Sequence, residues 1–157
     1  MAVASRLQTW LKQRAVEYET TAHEAMPSSA RTAQAAHIPG KQMAKGVVLK
    51  RADDAFLVMV LPADSLVHLG RLQRILGEPV CLATEAELEG LFPDCDQGAV
   101  PALAQAYGLP LLVDRGLFAQ PEVFVEAGDH RTLLRLGGKQ FAHLLGDADQ
   151  IDAAKHI

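Results

Sequence analysis

Apolar residues recur along this chain in two rhythms, and the rhythm changes often. Val3, Leu7, Trp10, Leu11 and Ala15 fall at helical spacing, which predicts an amphipathic helix over about 3–16. Tyr18 to His23, with Thr20 and Thr21, predicts a short strand. Pro27-Ser28-Ser29 reads as a turn. Ser29 then caps a helix running to about His37, ended by Pro39-Gly40. Two apolar runs, Val47 to Lys50 and Phe56 to Leu61, flank the polar Arg51 to Asp54 and predict a β-hairpin stopped by Pro62. Asp64 is placed to cap a helix carrying Leu66, Leu69, Leu72, Ile75 and Leu76, closed by Gly77. Val80 to Leu82 predicts a strand, and Thr84-x-x-Glu87 is a capping box ahead of Leu88 and Leu91.

From Phe92 to Pro110 the rhythm breaks. Pro93, Gly98, Pro101, Gly108 and Pro110 punctuate a segment that also holds Asp94, Cys95 and Asp96. Long punctuated loops in compact domains are more often functional than connective. Beyond it, 111–113, 123–125 and 133–136 predict three strands, with Gly128-Asp129-His130 turning between the last two. Phe141, Leu144 and Leu145 fit a short helix, and the polar tail from Gly146 is expected to fray. Helices and strands mix without strict alternation. The expected fold is therefore α+β (mixed α/β): one domain over 1–157, with a mixed, largely antiparallel sheet or partial barrel of about six or seven strands flanked by helices.

Composition narrows the class. The chain has 157 residues, 49% of them hydrophobic and 22% charged, which excludes a disordered chain. The net charge of −4 argues against a protein that coats nucleic acid, but leaves room for a small basic pocket that meets one RNA end. The longest dense apolar runs are far too short to span a bilayer, and the first residues lack a signal-peptide pattern. The two cysteines, Cys81 and Cys95, have no zinc-ligand spacing and read as free thiols of a reducing compartment. A cytoplasmic protein with no metal and no cofactor is expected.

Generic motifs are missing: there is no GxGxxG, GxxxxGK[ST], HExxH or GxSxG. Asp94 and Asp96 read either as an acid pair or as turn formers. Cys95 makes a poor nucleophile, since no neighbouring feature lowers its pKa. Lys45, at the head of an apolar strand, reads from its surroundings as a solvated lysine or as a functional one.

Three segments carry a resemblance: Ala44-Lys45-Gly46-Val47-Val48-Leu49, then Leu91-Phe92-Pro93-Asp94-Cys95-Asp96-Gln97-Gly98-Ala99-Val100-Pro101, then Tyr107 to Asp114 followed by Val125-Glu126-Ala127-Gly128. In this order and spacing the chain resembles the YbaK and prolyl-tRNA synthetase-associated editing-domain family, over about residues 3–145. The resemblance implies a YbaK-like fold and a trans-editing aminoacyl-tRNA deacylase, a hydrolase that cleaves the ester of a mischarged tRNA. It places the family's lysine on Lys45, expected to bind the terminal phosphate or ester carbonyl, and its substrate loop on Gly98 to Ala102, where the amides of Gly98, Ala99 and Val100 are expected to form an oxyanion hole and Pro101 to stiffen the loop. It also implies attack by water assisted by the tRNA's own ribose hydroxyl. The family loop often carries a second proline, where Ala102 stands here, and an aromatic-glycine pair, where Leu103-Ala104 stands.

His23, Met26 and His130 are candidates for the amino-acid pocket. Lys41, Lys50, Arg51, Arg71 and Arg74 are candidates for phosphate contacts at the acceptor end. The expected partner is a tRNA acceptor end carrying an aminoacyl ester, with an aminoacyl-tRNA synthetase or elongation factor as a further partner. The competing readings are a non-catalytic tRNA or nucleic-acid binding module on the same fold, and a small-molecule or protein-binding regulator.

Overall fold

The computed structural model describes residues 4–16, 18–22, 33, 38–96, 99–129 and 131–156, with the backbone alone at position 21. The predicted hairpin is its centre. Strand β2 (Met43–Arg51) pairs antiparallel with β3 (Phe56–Pro62) from Ala44↔Pro62 to Lys50↔Phe56. Its turn is closed by the Asp53 carboxylate, which accepts the Ala55 amide at 3.0 Å, with Asp54 in the left-handed region at φ 68°. β3 is apolar throughout because both its faces are covered. Val58 and Val60 join one core with Leu7, Trp10, Val125 and Phe141, while Leu57, Met59 and Leu61 join a second with Leu72 and Ile151.

The main sheet adds β1 (Glu19–Ala22), β5 (Val80–Leu82), β6 (Leu111–Asp114), β7 (Glu122–Glu126), β8 (Thr132–Gly137) and β9 (Asp149–Ile151). Its order is β1-β8-β7-β2-β3-β6-β9, with β5 also on β2. β2/β7, β3/β6 and β6/β9 run parallel; the other pairs are antiparallel. A small second sheet joins β4 (Ser65–Val67) to β10 (Ala154–His156). The described α-helices are α1 (Ser5–Gln13), α2 (Leu69–Leu76), α3 (Glu85–Leu91) and α4 (Gly138–Leu145). The mixed α/β class with a mixed, open sheet is as expected; among the described residues that sheet has eight strands beside the expected six or seven, and β4 and β10 form a separate pair.

Two differences have clear causes. The expected Asp64-capped helix starts instead at Leu69, where His68 Nδ1 accepts the Arg71 amide at 3.0 Å. The residues before it pair with the C-terminal strand, which leaves Leu66 54% exposed rather than on the apolar face of a helix. The tail does not fray. Ile151 and Ala153 anchor it in the second core, so that β9 can pair with β6 and β10 with β4. Gly77 closes α2 in the left-handed region, and the Thr84–Glu87 capping box is formed as read. The helix expected over 29–37 lies outside the described residues except at Ala33.

Candidate active site

The site grows from an interruption in the sheet. On one edge, β2 pairs with β7 only at Met43 and Ala44, and with β5 only from Leu49 to Arg51. The edge from 45 to 47 is left between two partners. The Met43 carbonyl accepts the Ala63 amide on the β3 side, and the Val48 carbonyl accepts the Ala83 amide on the opposite side. By the alternation of an antiparallel ladder, the peptide groups of Gly46 therefore face the opening, two residues before Val48.

Val100 and Pro101 lie over one face of β2 at Gly46, beside this opening. A β-carbon on Gly46 would lie 3.2 Å from the Pro101 carbonyl oxygen and 3.3 Å from Val100 Cγ1. Only a glycine admits so close a backbone approach without displacing the loop. Gly46 was not singled out from the sequence, although an isolated glycine inside an apolar strand is the usual signal of such an approach. Pro101 and Ala102 are buried, so packing fixes this stretch where a second proline is lacking.

Lys45 is the first β2 residue beyond the pairing with β7. Successive side chains alternate faces, so Lys45 leaves the face opposite Val100 and Pro101, beside the opening. Its Nζ donates to the Ala63 carbonyl at 3.4 Å. Burial pushes its pKa below the ordinary lysine value, opposed by the charge of Asp64. An ammonium that is only partly hydrated holds an anion or carbonyl more firmly than one in open water.

The loop leading to Val100 and Pro101 is tied at several points. The Asp94 carboxylate accepts the Arg6 amide at 2.9 Å and the Tyr107 hydroxyl at 2.7 Å, so it is not one half of an acid pair with the exposed Asp96. The Asp96 amide donates to the Gly128 carbonyl at 2.7 Å. The Ala99 amide donates to the Asp96 carbonyl at 3.0 Å and is thus committed within the loop rather than offered to an oxyanion. Burial pushes the Cys95 thiol up to about 11, which suits a packed thiol rather than a nucleophile. A cavity of about 170 Å³ lies between α3 and the loop, against Leu88, Phe92, Cys95, Asp96 and Val100. Asp129, read from the sequence as part of the β7–β8 turn, is buried and holds that turn by accepting the Arg131 and Thr132 amides and the Thr132 hydroxyl.

Of the basic candidates, three face acids. Lys50 pairs with Glu87 at 2.9 Å and Asp54 at 3.6 Å, Arg51 with Glu78 at 2.9 Å, and Arg71 with Asp152 at 3.7 Å. Lys41 and Arg74 are exposed with no ion pair among the described residues. The structure thus sets Val100 and Pro101 over Gly46 on one face of β2 and Lys45 on the other, with Ala99 buried and tied within the loop to Asp96. His23, Met26, Gly98 and His130 lie outside the described residues. No described helix is long and apolar enough to cross a membrane.

The aminoacyl-tRNA editing domain profile matches residues 23–144. Among solved structures, the chain is similar to a protein proposed to be a trans-editing enzyme for prolyl-tRNA synthetase, with 26% identity, TM-score 0.82, 98% of this chain covered and 97% of that one. A hypothetical protein at 21% identity has a TM-score of 0.83, covering 96% of this chain and all of the other. A Marinobacter aquaeolei VT8 protein, assigned provisionally to signal transduction, shares 20% identity with a TM-score of 0.77. That match covers 96% of this chain but 30% of the larger protein. The last two likenesses speak to the fold alone. Curated protein sequences give no significant match.

Proposed function

This chain belongs to the aminoacyl-tRNA editing domain family, and from that premise we propose that it is a trans-editing deacylase, a cytoplasmic hydrolase that clears mischarged tRNA at the opening beside Lys45. The observation that carries the reading is the β2 edge at 45–47, which has no strand partner among the described residues, with Lys45 at its start and Val100 and Pro101 over Gly46.

An aminoacyl ester is already activated. Its hydrolysis asks for a held carbonyl, a placed water and donors for the oxyanion more than for a strong side-chain nucleophile. In the proposed reaction the Lys45 ammonium holds the terminal phosphate or the ester carbonyl, and backbone N–H groups of Gly46 and Val100 face the oxyanion. Water adds to the acyl carbon, the neighbouring ribose hydroxyl of the tRNA relays its proton, and the C–O bond to the ribose breaks. The products are a free amino acid and a tRNA with its hydroxyl restored. The raised pKa of Cys95 supports a water mechanism over a thiol ester.

The alternative, a non-catalytic tRNA-binding module, draws on a broad basic face. The pairing of Lys50, Arg51 and Arg71 with acids leaves little of one. The proposed partner is a tRNA acceptor end, reached with a synthetase or elongation factor close by. The deciding experiment is a deacylation assay over a panel of mischarged tRNAs. At least one ester should be hydrolysed well above its spontaneous rate. If every ester survives while the tRNAs still bind, the binding-module reading stands instead.

A further inference from the structure

Asp94 lies thirteen residues before Tyr107, and the loop carrying Val100 and Pro101 runs between them. The Asp94 carboxylate takes the Tyr107 hydroxyl on one oxygen at 2.7 Å. On the other it takes the Arg6 amide at 2.9 Å and the Ser5 hydroxyl at 3.3 Å, both in the first turn of α1. Tyr107 is held in turn by an edge-on contact with Phe92, ring centres 5.0 Å apart, by the Arg6 guanidinium over its ring and by Cys95 Sγ at 3.3 Å. The start of α1 is also joined to the end of β7, since the Ala4 amide donates to the Ala127 carbonyl at 2.7 Å. The loop, the helix and the β7–β8 turn therefore meet at one knot, directly before the residues that lie over Gly46.

We propose that the Asp94–Tyr107 hydrogen bond is a clasp at the base of the loop, and that both side chains are positioning residues that set Val100 and Pro101 over Gly46. The proposal rests on the hydrolytic reading above. The ionic states suit it. Burial works to raise the Asp94 pKa, but the bonds from the Arg6 amide and Tyr107 outweigh it and hold the carboxyl below its ordinary value. Burial, with Cys95 and Asp94 beside it, keeps the Tyr107 hydroxyl protonated and donating. A loop whose amides must meet an oxyanion loses rate steeply when displaced by an ångström, while contacts to the rest of the tRNA are untouched.

The test compares Tyr107→Phe, Asp94→Ala and Asp94→Asn by single-turnover deacylation and by hydrogen exchange of the 96–103 peptide. Tyr107→Phe keeps the ring and its contact with Phe92. It should lower kcat by about tenfold to a hundredfold with KM for tRNA within about twofold. Asp94→Asn, which keeps one accepting oxygen, should recover part of the rate lost in Asp94→Ala. In both Tyr107→Phe and Asp94→Ala the loop peptide should exchange faster, with β2 and β3 unchanged. Unaltered loop exchange in Tyr107→Phe overturns the clasp whether or not the wild-type protein is active. Faster loop exchange with an unaltered kcat overturns its part in the reaction. An inactive wild-type protein defeats the hydrolytic reading, and the exchange data then decide the clasp alone.

Discussion

Pro101 lies over Gly46 on one face of β2: the carbonyl oxygen of Pro101 is 3.2 Å from the point a Gly46 β-carbon would occupy. Gly46→Ala must therefore push the loop, Val58 or Val100 by a few tenths of an ångström. We expect it to cost about 1–3 kcal/mol of stability, the usual range for an added carbon in a packed site, and to reduce deacylation further than the stability loss explains. Urea titration and single-turnover kinetics on the same samples separate the two effects.

Lys45 carries a cost in the folded state that its chemistry needs. Its pKa is lowered by burial, against the pull of Asp64, so the folded protein sheds this proton at lower pH than the unfolded chain does. The unfolded state then binds more protons between the lowered value and the ordinary 10.5. Through that window the group's destabilising effect fades as pH rises, and below it the effect is fully present. Lys45→Met should be more stable than wild type at neutral pH, with the gap closing as pH climbs toward 10.5, and should be inactive. Melting curves across pH for both proteins check the sign.

Gly128 sits at φ 107°, and a β-carbon there would lie 2.9 Å from Ala4 Cβ and 3.1 Å from Cys95 Sγ. Gly128→Ala meets both a backbone penalty and a clash at the knot that joins α1 to the loop. A loss of about 3 kcal/mol is expected, the upper end for a strained backbone conformation, measurable by denaturant unfolding.

Much of this molecule was legible from residue pattern. The hairpin was visible because both its strands are apolar runs flanking Arg51 to Asp54, and the α3 capping box because Thr84 and Glu87 stand at the right spacing. The β4 and β10 strands were not. Each is three residues long and is stabilised by the other from the far end of the chain, a pairing no local window contains. At the site, Lys45 and the 99–101 stretch stood out through the order of motifs. The role of Asp94 did not, because its partners Arg6 and Tyr107 are distant in sequence on one side and follow the loop on the other. The pairing of Lys50, Arg51 and Arg71 with acids was likewise hidden, since Glu87, Glu78 and Asp152 come close only in the fold.

That pairing predicts an uneven response to charge removal. Lys41→Ala should weaken tRNA binding across all sequences and lower the salt slope by about one. Lys50→Ala, whose ammonium is already met by Glu87, should change the slope by much less. Binding isotherms at several salt concentrations give both slopes, and equal effects would mean that Lys50 leaves Glu87 for the RNA.

The most direct test of the account is the single-turnover rate of ester hydrolysis by Lys45→Ala beside wild type, on the best substrate of the mischarged panel. Loss of a hydrogen-bonding charge at the reacting ester should lower the rate by about a hundredfold or more, with the variant still folded and its loop exchange unchanged. A Lys45→Ala protein that hydrolyses the ester at the wild-type rate would contradict the placement of the reaction at the β2 opening.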